Sequence, residues 1–223
     1  ASMVMRAAAF SRVCRRAFPA ITNHPHSMLA CSSGPSSDRL FSSHDNGEQL
    51  FSSSTMVNEE EEASHRKYYA ISGTGQRSTV KMETNTGHNL QTDVPKKMGG
   101  GDSAPQPVEH LLAALLGCTQ ATAIYVGRTM NPRLIIDKID FDVEAYRDER
   151  GALEIPIIDK LPTIPARLQC VSGTVRVHFK QKGVQVSEEQ LRILGEQTEA
   201  RCPIANMMHA SGCVMDIQWV NGG

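Results

Sequence analysis

The residues with the most chemistry in this chain are its cysteines, six among 223 residues. Two of them have a setting of their own. Cys118 falls in the middle of an apolar run from Pro105 to Met130, and Cys202 opens the stretch Cys202-Pro203-Ile204-Ala205-Asn206 far downstream. A thiol acts as nucleophile or redox group in its thiolate form, so the surroundings decide its use. Cys202 is followed by a proline suited to a first helical position, which makes it the cap of a short helix. A capping sulfur meets the positive end of the helix dipole, which favours thiolate. Cys118 has the opposite setting. Among leucines and alanines its pKa should rise, and a reactive thiolate there needs a cation. Without one it is a small hydrophobe. Cys170 and Cys213 lie in strand-like stretches and read as core, and Cys14 and Cys31 lie in a leader. No C-x-x-C occurs, so neither a secreted disulfide framework nor a zinc site is indicated. Cys202, His209 and Cys213 are ligand types, but they lack a fourth.

The element that positions Cys118 is a helix. Pro105 and Pro107 suit its first turn, where a missing N–H costs nothing. Asp102 and Glu109 put negative charge near the positive end of its dipole. Leu111, Leu112, Leu115, Leu116, Ala123 and Val126 recur at helical spacing, and Asn131-Pro132 stops the run. Apolar residues occur almost all round, which predicts a buried helix. Glu109, His110, Gln120 and Arg128 interrupt the run, which predicts the core helix of a soluble protein rather than a membrane span. The element that positions Cys202 begins with Ser187-Glu188-Glu189-Gln190, a capping box that opens a helix to about Ala200. Cys202 then caps the next, short helix, which Gly212 breaks.

Around these helices the chain alternates like strands. Tyr68 to Ser72, Ser78 to Glu83 and Leu90 to Val94 are candidate strands, separated by turns at Gly73-Thr74-Gly75 and Thr86-Gly87. Lys138 to Tyr146 alternates, with Ile139, Phe141, Val143 and Ala145 on one face. Asp148 to Gly151 is a turn, and Leu153 to Ile158 is a candidate return strand. Pro156, Pro162 and Pro165 mark an irregular excursion. Arg167 to Lys180 reads as a strand-pair region ended by Lys182-Gly183, and Cys213 to Val220 is a last strand carrying Trp219. Tyr125 and Trp219 read as packing aromatics. The order is βββ-α-ββ(β)-αα-β, an α+β class.

Residues 1–66 are of different composition. Arg6, Arg12, Arg15 and Arg16 alternate with apolar residues, and no acid precedes Asp38. This is the pattern of a mitochondrial transit peptide, with a disordered basic tail as the alternative. Serines and the run Glu59 to Glu62 follow. The predicted folded domain is 67–223. The chain is 40% hydrophobic with a formal net charge of -1, so no nucleic-acid footprint is present.

Gly99-Gly100-Gly101, then Pro107 to Cys118 with its apolar leucines, then Cys202 to Asn206, together resemble the OsmC/Ohr family of thiol-dependent peroxidases. The resemblance covers about residues 67–220. It implies an intertwined homodimer, with antiparallel sheets wrapped around the long central helices and active sites at the dimer interface. It implies that Cys118 is the peroxidatic thiol and Cys202 the resolving thiol, in the reduction of organic hydroperoxides for oxidative-stress defence. The reductant implied is a dihydrolipoyl group or another dithiol, which agrees with a mitochondrial matrix location. Metal, flavin and haem are not implied. Arg77 is the best positional match for the family's activating arginine. Glu109 is the candidate for the carboxylate that holds it. In the peroxidases with that pair the carboxylate directly follows the motif proline, where this chain has Val108. Glu109 and Cys118 are nine positions apart, about 180° around an ideal helix. Glu109 therefore also reads as a simple helix-terminal charge, and His110 as a surface or interface histidine. Met207, Met208 and His209 read equally as the edge of a substrate pocket, whose methionine-rich wall suits fatty or aromatic hydroperoxides, or as core. The rival function is a non-catalytic protein of this fold that binds an apolar ligand at the dimer interface.

Overall fold

A computed structural model describes residues 65–153, 162–180 and 185–223. The expected leader up to residue 64, most of the candidate return strand after Leu153, and Lys182-Gly183 lie outside the described residues.

The first three strands, β1 (Ile71–Gln76), β2 (Thr79–Thr84) and β3 (Asn89–Thr92), form an antiparallel sheet in that order. The expected turn at Gly73-Thr74-Gly75 is instead part of β1, where Gly73 pairs with Met82 and Gly75 with Val80. Glycine serves there for close approach, since a Cβ on Gly73 would stand 2.9 Å from Met82 Cγ and 3.0 Å from the Lys81 carbonyl oxygen. The chain reverses at Arg77-Ser78, with Arg77 in the left-handed region at φ 56.

A short 3-10 turn, Lys96–Met98, and the glycine-rich loop lead into helix α1 (Pro107–Thr129). Pro107 takes the first turn as expected, and Gln106 is the cap. Strand β4 (Ile136–Tyr146), a single helical turn α2 (Arg150–Leu153) and strand β5 (Cys170–Phe179) follow. The chain ends with α3 (Glu188–Arg201), α4 (Pro203–Ala210) and β6 (Val214–Asn221). Arg167 to Lys180 thus holds one long strand rather than a pair. The Ser187 capping box forms as expected: the Gln190 N–H donates to Ser187 Oγ at 3.1 Å, and the Ser187 N–H donates to Gln190 Oε1 at 2.9 Å.

The second sheet has the order β4-β5-β6. Strands β4 and β5 are antiparallel, with Phe141 opposite Val175, but β6 runs parallel to β5, with Cys170 opposite Val214. This sheet is therefore mixed rather than wholly antiparallel. The helical pair α3–α4 is the crossover that returns the chain to the same end of the sheet, which a parallel pairing requires.

Helix α1 packs on β4, α3 and α4. Two apolar clusters result. One gathers Ala123, Val126, Leu134, Val175, Val177 and Leu194, with Trp219 packed against it. The other gathers Leu115, Leu168, Val171, Cys202, Ala205, Met208 and Cys213. Each fully buried aliphatic side chain such as Leu194 contributes about 1.5–3 kcal/mol. Burial of α1 covers a stripe, not the whole circumference: Leu115 and Ala123 are inside, whereas Leu111 is 39% and Tyr125 63% exposed. Tyr125 is thus not a packing aromatic within this chain. Ala113, Ala114, Gly117 and Ala121 share its exposed side.

Candidate thiol site

Cys118 sits on the flank of the buried stripe of α1 and packs against the second cluster. Cys202 belongs to that cluster and is 0% exposed. It closes α3 and caps α4, as its proline-followed position predicts. The Ala205 N–H donates to its sulfur at 3.4 Å. The cap and the dipole favour thiolate, but burial outweighs them. Burial first, and then the facing Cys118 thiol, push the Cys202 pKa up to about 11. The fold therefore brings together two free thiols 84 positions apart in sequence, one half-buried on a long helix and one buried at a helix start. Two thiols that face each other can close a disulfide once one sulfur is oxidised, the other attacking as thiolate.

The other candidates fall elsewhere. Glu109 closes the first turn of α1: the Gln106 N–H donates to its Oε2 at 2.7 Å. Its place on the helix is opposite Cys118, as the nine-residue spacing dictates. Arg77 is exposed in the β1–β2 turn. It lines a polar hollow with Ser78, Lys81, Gly99, Gly100, Gly101 and Ser103, a lining that does not include Cys118. His110 donates from Nε2 to the Gln91 carbonyl at 2.9 Å, tying α1 to β3. Met208 is buried, while Met207 is 58% exposed. His209 lies 3.5 Å from Glu199 on α3, an ion pair when the histidine is charged.

Three polar residues carry weight that the sequence analysis did not assign. Asp93 is buried and gathers N–H and O–H donors from three segments. Its only local signal is an acid placed just before Val94-Pro95 and a glycine-rich loop. Glu199 lines an apolar crevice with Leu115, Thr119, Phe141 and Trp219. Burial pushes its carboxyl pKa up, against the pull of His209. Arg167 donates from Nε to the Ser211 carbonyl at the end of α4. Its charge lies near Cys213, whose thiol is nonetheless pushed up by burial.

An α+β chain with two sheets, a long apolar helix and a facing pair of free thiols is the class that fold and site define. The family model for OsmC-like proteins matches residues 99–218, and the chain belongs to that family. Among solved structures, it is similar to an OsmC-like protein from Mycoplasma pneumoniae at 18% identity, covering 70% of this chain and 99% of that one, with a TM-score of 0.53. It is also similar to an OsmC-like protein of unknown function from Vibrio cholerae at 13% identity, covering 70% of this chain and all of that one, with a TM-score of 0.54. An organic hydroperoxide resistance protein from Legionella pneumophila is similar at 16% identity, covering 70% of this chain and 98% of that one. Its TM-score is 0.45, a likeness too loose to bear on function. No curated protein matches the sequence.

Proposed function

We propose that this chain is a thiol peroxidase that reduces organic hydroperoxides. The observation that carries the proposal is the meeting of two free thiols, Cys118 and Cys202, in one apolar cluster. Cys118, as thiolate, attacks the terminal oxygen of a hydroperoxide. The O–O bond breaks, the alkoxide leaves and takes a proton as alcohol, and Cys118 becomes a sulfenic acid. The Cys202 sulfur then attacks the Cys118 sulfur and the S–O bond breaks. The Cys202 proton leaves with the hydroxyl as water, and the two sulfurs are joined. A dithiol, of the dihydrolipoyl kind, returns both thiols by exchange and is itself oxidised to a disulfide.

Arg77 is the cation of this proposal and acts on the Cys118 thiolate within a homodimer. What supports the dimer is the apolar side of α1 left uncovered in one copy. Glu109 would support Arg77 from the second copy, since within its own helix it faces away from Cys118. The Arg-rich, acid-free start supports delivery to the mitochondrial matrix, where lipoyl groups reside. The non-catalytic alternative, an apolar ligand held between copies, keeps the same thiols as packing.

The test is peroxide-dependent disulfide formation. The reduced protein, with Cys118→Ser and Cys202→Ser beside it, is mixed with a slight excess of cumene hydroperoxide or a fatty-acid hydroperoxide, and free thiols are counted by mass spectrometry. The expected outcome is one Cys118–Cys202 disulfide in the wild type, a stable sulfenic acid in Cys202→Ser, and no peroxide loss in Cys118→Ser. Survival of both wild-type thiols in excess peroxide leaves the ligand-binding reading instead.

A further inference from the structure

Asp93 follows the last residue of β3 and is 0% exposed. A buried carboxylate needs compensation, and here hydrogen bonds supply it. Oδ1 accepts from the Ser78 hydroxyl at 2.8 Å and from the Val94 N–H at 2.8 Å. Oδ2 accepts from the Gly101 N–H at 3.1 Å, the Ser103 N–H at 3.0 Å and the Ser103 hydroxyl at 2.8 Å. Held this way, led by the Ser103 amide, the carboxyl stays ionised far below the usual carboxylate range.

The loop is shaped to the carboxylate. A Cβ on Gly101 would stand 3.0 Å from Oδ2, and one on Gly100 would stand 1.9 Å from the Val94 carbonyl oxygen. Asp102 between them and Ser103 adopts φ 56. The Asp93 N–H, in turn, donates to the Pro105 carbonyl at 3.2 Å, just before α1. The two oxygens divide their work. One holds Ser78, the neighbour of Arg77 in the β1–β2 turn. The other holds the loop that delivers the helix of Cys118.

We propose that Asp93 is a positioning residue for the thiol chemistry: it locks the turn that carries Arg77 to the loop that leads into α1, and so sets where the Arg77 cation stands. This rests on the reading of Arg77 as the cation that stabilises the Cys118 thiolate. An amide cannot replace the carboxylate, because in one orientation its NH2 would face the N–H donors of Gly101 and Ser103, and in the other the N–H of Val94. A misplacement of about 1 Å in such a group is enough to cost up to ~100-fold in rate.

The test is a double-mutant cycle read on the ionisation of Cys118, measured as the pH dependence of its alkylation in the full chain, together with the rate of cumene hydroperoxide consumption. Ser78→Ala removes the bond to the turn and leaves the loop bonds in place, so it serves even if Asp93→Asn folds poorly. The expected result is a rise in the pH at which Cys118 ionises and a rate loss of about tenfold, restored by Ser78→Thr, with no further loss when Ser78→Ala is added to Arg77→Ala. A lower melting temperature with unchanged Cys118 ionisation overturns the proposal, as does full additivity with Arg77→Ala. If Arg77→Ala alone leaves the ionisation unchanged, the reading of Arg77 fails and the proposal with it. If Arg77→Ala shifts the ionisation and Ser78→Ala acts independently, only the proposal fails.

Discussion

The Ala205 amide donates to the Cys202 sulfur across 3.4 Å, at the first turn of a helix and within a closed apolar cluster. These two surroundings oppose each other. The amide and the dipole favour an anion, and burial disfavours it. Burial wins, with the folded-state pKa at about 11 against a reference of 9.0.

That balance fixes a pH dependence of stability. Because the folded thiol keeps its proton where the unfolded one has lost it, Cys202 contributes stability below the reference value. The contribution is lost as pH rises from 9.0 through about 11. Denaturant unfolding of reduced protein should show stability falling across that alkaline window, with a shallower fall in Cys202→Ser. An unchanged slope in the variant contradicts the assignment.

Glu199 predicts the behaviour of a carboxyl whose pKa is raised by burial. Its folded form holds a proton more tightly than its unfolded form, so its contribution is present in acid and lost as pH rises through the raised value. Glu199→Gln should therefore raise the melting temperature near neutral pH and leave it nearly unchanged in mild acid. A loss at neutral pH would mean that the His209 pairing at 3.5 Å outweighs desolvation.

Glu109 predicts a change in stability separable from thiol chemistry. Its carboxylate accepts from the Gln106 N–H at 2.7 Å. Glu109→Ala should cost about 0.3–1.5 kcal/mol through loss of this cap. If the carboxylate also supports Arg77 across two copies, Glu109→Gln, which can still accept from Gln106, should slow peroxide consumption without the full loss of stability. Equal rates for Glu109→Gln and wild type reduce Glu109 to a cap.

Helix α3 lies tightly against the last strand. A Cβ on Gly195 would stand 2.6 Å from Cδ1 of Trp219. Gly195→Ala should destabilise by about 1–3 kcal/mol through overpacking, with a shift in the Trp219 fluorescence maximum. Stabilisation by the better helix former would show that the ring moves aside freely.

The legible parts of the sequence were those written locally. Ser187 with Gln190, Cys202 with Pro203, and the leucine spacing of α1 each concern residues within a turn or two of one another. Structure that depends on distant partners left weaker marks. Gly73 looks like a turn glycine until Met82 is placed across from it. The parallel pairing of β6 with β5 depends on where two helices deliver the chain, which alternation within β6 does not encode. Tyr125 has the composition of a core residue, and only the packing of α1 shows which side of the helix stays uncovered. Asp93 collects its donors from Ser78 and from Gly101 and Ser103, separations of 15, 8 and 10 positions, so no short motif contains the cluster. The meeting of Cys118 with Cys202 was implied by family resemblance alone, since nothing in the spacing of the two residues requires it.

The uncovered side of α1 makes dilution a perturbant. A helix with Leu111 39% and Tyr125 63% exposed presents its apolar flank to water whenever a chain stands alone. If a second copy covers that flank, the folded state gains free energy with the logarithm of protein concentration, and its melting temperature climbs on concentrating the sample. Ala121→Glu, which sets a charge in the middle of the flank, should abolish that dependence and halve the mass seen by sedimentation. A melting temperature indifferent to concentration in the wild type would mean that something other than this chain lies against α1.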